Sequence, residues 1–146
     1  MNNIYFAKLN ENAIIPSKRD EDGAYDIYAC IDDSVIILEP GEIIMVPTGI
    51  VSAFSPKYRI VFQERGSNGI KGLKVNAGLI DSGYRDEWIV ILNNVSNEVI
   101  KYPTEKAICQ AKVQRVPEVN IVETTYDKIL LFESERGDGK LGSSGK

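Results

Sequence analysis

Residues 76–94 read NAGLIDSGYRDEWIVILNN, and this stretch predicts the fold more directly than any other part of the chain. Its polar first part contains the turn signal Ser82-Gly83, and its second part is the short apolar run Trp88 to Leu92, closed by Asn93-Asn94. Gly and Asn favour tight turns, and β-branched residues favour strands. We therefore predict a β-hairpin over residues 76–87 with Asp81 near its rim, followed by a strand.

The rest of the chain repeats this alternation of short apolar runs and turns. Further runs of strand character are Val35 to Leu38, Ile43 to Val46, Arg59 to Phe62 and Val119 to Val122. Many short strands at such spacing predict an all-β sandwich, barrel or jelly roll. Residues 107–113 alternate with a period of two that places Gln110 on the more polar face of its strand. Helical turns are predicted only near Ser67 to Lys71 and over Thr125 to Phe132.

Composition narrows the class of protein. The 146 residues fit one domain, and a formal charge of -4 argues against a broad basic surface for nucleic acid. Cys30 and Cys109 match no metal or disulfide pattern, which favours reduced thiols. No stretch reaches membrane-spanning length, and residues 1–10 lack the apolar core of a signal peptide. We expect a cytoplasmic protein that binds neither membrane nor nucleic acid.

The chain contains no histidine. This absence excludes Ser-His-Asp triads and Cys-His pairs, and it removes most zinc chemistry. Catalysis would therefore depend on carboxylates, hydroxyls, Lys, Arg or a hard cation.

Several polar segments are candidates for chemistry, although each is weak alone. They are GAYDIYA at 23–29, QERGSNGIKG at 63–72 and the Asp81 segment. The tail from Arg136, RGDGKLGSSGK, has four glycines and one apolar side chain. Such a tail is typical of a disordered terminus, but glycines interleaved with Arg and Ser also suit backbone wrapping of phosphates.

In their order along the chain, these segments and KAICQAKV at 106–113 resemble the five motifs of the trimeric dUTP pyrophosphatases (dUTPases). The most specific matches are G-x-I-D-x-x-Y-R at Gly78 to Arg85 and R-G-x-G-x-x-G-S-x-G at Arg136 to Gly145. The resemblance runs from about Ile4 to the last residue. It implies a distorted jelly-roll β-barrel over residues 1–135 and a flexible arm, 136–146, that crosses to a neighbouring subunit of a homotrimer.

The resemblance also implies hydrolysis of dUTP to dUMP and pyrophosphate, which limits uracil incorporation into DNA and supplies dUMP for dTMP synthesis. Asp81 would be the general base that activates water for attack on the α-phosphorus, and Tyr84 would pack on the deoxyribose. Mg²⁺ would bind the phosphates, with Asp26 reaching it through water. The implied substrate-binding residues are Arg65, Gly66, Ser67, Asn76, Gly78, Leu79, Ile80, Tyr84, Gln110, Arg136, Leu141, Gly142, Ser143 and Ser144.

Some positions depart from the family pattern. Gly66 stands where a Ser usually follows the Arg, Ala107 where an Arg usually precedes the Gln by three, and Leu141 where an aromatic usually stacks on uracil. These departures leave open a catalytically weak relative that binds dUTP and signals through a protein partner. A dCTP deaminase relative is a further alternative, but the position where that enzyme needs a Glu is Ile91.

Overall fold

Short β-branched runs form strands, as the sequence predicts. The computed structural model describes residues 3–145, within which there are eleven strands and two short helices. The strands are β1 (Ile4–Lys8), β2 (Tyr25–Ile27), β3 (Val35–Leu38), β4 (Ile43–Pro47), β5 (Ile50–Phe54), β6 (Tyr58–Gln63), β7 (Leu73–Asn76), β8 (Leu79–Ile80), β9 (Ile89–Asn94), β10 (Ile100–Pro103) and β11 (Cys109–Arg115). The helices are α1 (Gly66–Lys71) and α2 (Tyr126–Leu130), which confirms both predicted helical turns.

The strands form small antiparallel sheets around one core. Their orders are β1-β5, β10-β3, β2-β11-β6-β8 and β4-β9-β7. With 36% strand and 8% helix, the chain is mostly β, as predicted, and the sheets wrap in the manner of a distorted jelly roll. The inner faces of all four sheets contribute to a single cluster of buried apolar side chains.

Trp88 lies at the centre of this core and follows directly after the Asp81 segment. Its indole is fully buried, with ring centroids 5.1 Å from Phe6 and 5.5 Å from Phe62 in edge-on contacts. The buried indole N–H donates to the Ser52 hydroxyl oxygen at 2.9 Å, so its polar atom is satisfied. Trp88 therefore fixes the end of the polar segment to the interior of the domain.

The predicted hairpin over residues 76–87 is wrong in its pairing. β7 pairs with β9 and β8 pairs with β6, so the two strands belong to different sheets. The chain crosses between the sheets at Ala77 and Gly78, which have φ of 56° and 93°. Local sequence signals a reversal of direction, but the strand partners are chosen by the packing of distant segments.

We expect Gly78→Ala to destabilise the domain by about 2–4 kcal/mol, because the left-handed backbone and a crowded Cβ both oppose it. A Cβ at this position would lie 2.9 Å from the Cβ of Phe62. Urea unfolding without nucleotide measures the change. Gly83→Ala is the matched control, since Gly83 has ordinary φ and nothing within 4 Å of an added Cβ. Equal midpoints for the two variants would contradict the expectation.

The C-terminal part of the chain differs from the prediction. Val119 to Val122 forms no strand, and these residues are exposed. A strand needs a partner, and none of the described residues offers one to this run. Every residue from 116 to 145 is exposed except Gly139, which is half-buried. The exposed C-terminal segment therefore begins well before Arg136, the predicted start of the arm. The division after residue 135 stays a prediction. No helix within residues 3–145 is long and apolar enough to cross a membrane.

Candidate active site

Three polar residues form a row across the larger sheet. Gln110 on β11 lies opposite Asp26 on β2 and opposite Gln63 on β6. Directly opposed residues on neighbouring strands share a face, so the three side chains lie side by side. Gln110 is half-buried between the buried Cys109 and Ala111, which confirms its predicted place on the more polar face. Its Nε2 donates to the Glu64 carbonyl at 3.2 Å and ties β11 to the loop before α1.

Arg65 immediately precedes α1 and contacts the turn between β10 and β11. Its Nη1 donates to the Ala107 carbonyl at 3.3 Å and to the Tyr102 hydroxyl at 3.4 Å. The Tyr102 hydroxyl itself donates to the same carbonyl at 2.6 Å. All these acceptors are neutral, and among residues 3–145 Arg65 forms no ion pair. The guanidinium is therefore oriented by the protein while its charge remains available to an anion.

A cavity of about 380 Å³ opens beside Arg65. It brings together three of the predicted residues, Asp26, Arg65 and Ser67. The other lining residues are Tyr28, Asn68, Lys71, Tyr102, Glu105, Lys106 and Ala107. Three cations and two carboxylates thus share one wall, a combination that suits a phosphate chain accompanied by a divalent cation.

Gly66 begins α1 at the rim of this cavity. A Cβ at Gly66 would meet nothing within 4 Å, and its backbone lies outside the left-handed region. The absence of the usual Ser hydroxyl is therefore not imposed by the fold. Ser67, the next residue, lines the cavity and is exposed.

Glu64 is a structural link that the sequence did not single out. Its carboxylate accepts a hydrogen bond from the Val75 N–H at 3.2 Å and pairs with Lys74 at 3.1 Å. Burial would raise the pKa of Glu64, but these hydrogen bonds outweigh burial and hold the pKa below its ordinary value. Glu64 therefore fastens β7, which ends at the predicted substrate-binding residue Asn76, to the loop that carries Arg65. The only sequence signal is an acidic residue directly before the Arg.

The turn that carries Asp81 is fastened by Arg85. The Arg85 Nη1 donates to the carbonyls of Ser82 at 2.6 Å, Tyr84 at 3.3 Å and Ser52 at 3.4 Å. The Tyr84 N–H donates to the Asp81 carbonyl at 3.1 Å and closes the turn. The Asp81 side chain is exposed immediately after β8. The hydrogen bonds of Arg85 thus hold the turn on which the Asp81 carboxylate is exposed.

Tyr84 projects from the same turn. Its hydroxyl donates to the Glu87 carbonyl at 3.0 Å, and 39% of the residue remains exposed. Anchored at its tip, the ring offers an apolar face beside Asp81, as expected for a wall against a sugar.

The structure does not bring Asp81 to the cavity beside Arg65, which we call the candidate phosphate cavity. Ile80 lies opposite Ile60, so Asp81 falls near Arg59, six residues from Arg65. At about 3.3 Å per residue, this separation is about 20 Å along β6. One chain therefore holds its candidate base and its candidate phosphate cavity at opposite ends of the same strand.

The predicted tail residues also lie apart from the cavity. Arg136 is folded onto its own segment, with Nε donating to the Gly139 carbonyl at 2.7 Å and Nη2 donating to the Lys140 carbonyl at 2.5 Å. Leu141 is fully exposed, and no tail residue is among those that line the cavity. The predicted site residues thus form three groups within one chain.

Asp26 is the residue predicted to hold Mg²⁺, and its carboxylate oxygens are suitable ligands for a hard cation. No group of three or more His, Cys, Asp or Glu side chains within residues 3–145 is arranged to hold a metal. Mg²⁺ commonly binds one or two carboxylates together with water and substrate phosphates. The carboxylates of Asp26 and Glu105 line the same cavity as its three cationic side chains. This arrangement fits a divalent metal ion that arrives with the nucleotide.

Comparison with known proteins places this geometry in a family. A family model described as dUTPase matches residues 10–145. The deoxyuridine 5'-triphosphate nucleotidohydrolase of Nautilia profundicola is 34% identical over 143 residues, covering 95% of this chain and 96% of that protein.

Solved structures show the same fold at lower identity. A mutant dUTPase of Staphylococcus bacteriophage 80alpha with dUpNHpp has a TM-score of 0.77 at 24% identity and covers 100% of both chains. A mutant dUTPase from phage phi11 of S. aureus, described for its structural Mg(II) ion, has a TM-score of 0.72 at 19% identity, covering 86% of this chain and 99% of that one. The family-model match over residues 10–145 and the 34% identity to the Nautilia profundicola enzyme mean that the chain belongs to the dUTPase family, whose members hydrolyse dUTP.

Proposed function

We propose that this enzyme hydrolyses dUTP with Mg²⁺ in a site shared between subunits, where Asp81 of one subunit serves the phosphate cavity of another. The observation that carries the proposal is the cavity of about 380 Å³ that gathers Asp26, Arg65 and Ser67. Among residues 3–145 its three cationic side chains have no carboxylate partner within ion-pair distance, and Asp81, the predicted base, is not among its lining residues.

The reacting residues divide the work. Main-chain groups around Val75 to Leu79 read the uracil edge, and Asn76, Gly78, Leu79 and Ile80 are the substrate-binding residues of this segment. Tyr84 packs against the deoxyribose, where a 2′-hydroxyl would collide with the ring. Asp81 orients a water molecule and takes its proton as the new bond to the α-phosphorus forms. The bond from that phosphorus to the bridging oxygen breaks, and pyrophosphate leaves with both electrons of that bond.

The phosphates are held by groups that donate hydrogen bonds. Arg65, Ser67 and Gln110 act from one subunit, and Arg136, Gly142, Ser143 and Ser144 of the arm close over the chain of phosphates. Mg²⁺ would screen the phosphate charge and polarise the phosphoryl oxygens. Asp26 would hold it through water, since Mg²⁺ keeps much of its hydration shell.

A homotrimer would join the separated groups. The outer face of the β4-β9-β7 sheet exposes apolar side chains beside the polar Asn93 and Lys74, with Ile43 58% and Met45 75% exposed and Ile91 opposite Met45. The arm adds further exposed apolar side chains, including Ile121 at 93% and Leu131 at 81%. Large exposed apolar patches are typical of interaction surfaces. A closed ring of three gives each subunit one heterologous neighbour on either side, which suffices to assemble a composite site.

We expect pyrophosphate release from dUTP in the presence of Mg²⁺, with little release from UTP or dCTP, and an enzyme-coupled pyrophosphate assay measures it. Ammonia released from dCTP would instead identify a deaminase, although β9 carries no carboxylate and Ile91 stands at the critical position. Binding of dUTP without pyrophosphate release would identify a regulatory binder. The reaction is proposed for the cytoplasm, since Cys30 and Cys109 are free thiols and reducing compartments keep thiols in this form.

A further inference from the structure

Asn68 is a polar residue in a buried position of α1. It is 2% exposed, and its Nδ2 has no hydrogen-bond partner among residues 3–145. A buried donor without a partner is unfavourable, because it loses its hydrogen bonds to water and gains none. Asn68 also lines the phosphate cavity. Asn68 is thus a lining residue of the cavity whose buried amide nitrogen has no partner within this part of the chain.

Two lysines reach the same cavity from different elements. Lys71 ends α1 and Lys106 lies in the turn between β10 and β11. Within residues 3–145 neither forms an ion pair. An ammonium group has three donors and no acceptor, so both lysines are suited to an anion. Lys106 directly precedes Ala107, the position at which the family resemblance leads us to expect a cation.

We propose that Asn68, Lys71 and Lys106 bind the terminal phosphates of the nucleotide and hold the departing pyrophosphate. This inference rests on the proposed function and adds the residues that distinguish a triphosphate from a monophosphate. The two lysines carry ammonium groups, and Asn68 carries a carboxamide whose NH₂ group is a donor. Such groups suit the terminal phosphates, which carry most of the negative charge of the triphosphate. The two carboxylates of the wall, Asp26 and Glu105, would face the accompanying Mg²⁺ instead.

Three probes with Mg²⁺ test the inference by calorimetry on the full chain: two nucleotides, a non-hydrolysable dUTP analogue and dUMP, and inorganic pyrophosphate. Asn68→Leu keeps the volume and removes the amide, and the double variant Lys71→Gln with Lys106→Gln removes two exposed charges. We expect each of these two variants to bind the dUTP analogue and pyrophosphate about tenfold more weakly than the wild type does. The affinity for dUMP should change less than about twofold, because a monophosphate does not reach these residues.

Lys101→Gln is the matched control, since Lys101 is an exposed lysine on β10 that does not line the cavity. It should leave all three affinities unchanged. A purely structural role for Asn68 would lower the melting temperature of Asn68→Leu without changing pyrophosphate affinity, and that result would overturn the inference. Unchanged affinities in the double lysine variant would overturn it as well. Pyrophosphate release from dUTP by the wild type is scored separately, so a failure of the proposed function is recognised independently.

Discussion

Asp81→Asn is expected to lower kcat by a factor on the order of 10² to 10⁴ with little change in nucleotide affinity. Asparagine keeps the shape of the side chain but cannot take a proton from water. The turn should survive, because the Tyr84 N–H bonds to the main-chain carbonyl of Asp81 and Arg85 fastens the turn through other carbonyls. Steady-state pyrophosphate release and calorimetric binding of a non-hydrolysable analogue separate the two effects. A variant that keeps more than half of the wild-type turnover would remove Asp81 from the mechanism.

Two inactive variants are expected to restore activity to each other when they share a trimer. One is Asp81→Asn and the other is a chain that ends at Glu135. In a composite site the Asp81 turn and the arm come from different subunits, so a random mixture has both intact in roughly a quarter of its sites, and trimers that contain both variants have both intact in roughly a third. If one chain supplied both to the same site, every site would lack one of them. The variants are co-expressed with different tags, and trimers that contain both are purified by two affinity steps.

The control for this experiment is each variant expressed alone through the same purification. Co-expression is needed because an obligate oligomer does not readily exchange subunits after folding. Background activity in trimers verified to contain both chains would contradict the composite site. It would leave the family assignment in place, because that rests on the match over residues 10–145.

Local sequence predicted strands correctly where a run of strand character also has a pairing partner within the described part of the chain. The run Ile43 to Val46 became β4, and the alternation around Gln110 survived in β11. Val119 to Val122 has the same β-branched character but no partner within residues 3–145, so its propensity alone does not make a strand. The hairpin prediction over residues 76–87 failed for the related reason that strand pairing is decided by distant segments.

The site was predictable only in part. The motif order led to Asp26, Arg65 and Ser67, and the structure places these three together. The contacts of Glu64 and Arg85 were missed, although Arg85 belongs to a matched motif, because both act on main-chain groups whose positions cannot be read from sequence spacing. Asn68 was missed because its significance depends on burial, and no sequence pattern separates a buried Asn from an exposed one.

The crossing of the chain at Ala77 and Gly78 has a thermodynamic consequence. Because β7 belongs to one sheet and β8 to the other, a nucleotide bound by this segment as proposed would bridge both sheets at once. The chain cannot unfold either sheet and keep that ligand. Nucleotide affinity is therefore linked to the free energy of unfolding of the whole domain, which would rise by about 2.7 kcal/mol at a nucleotide concentration 100-fold above Kd. In a cell that holds dUTP low, the same enzyme would be at its least stable when its substrate is scarcest.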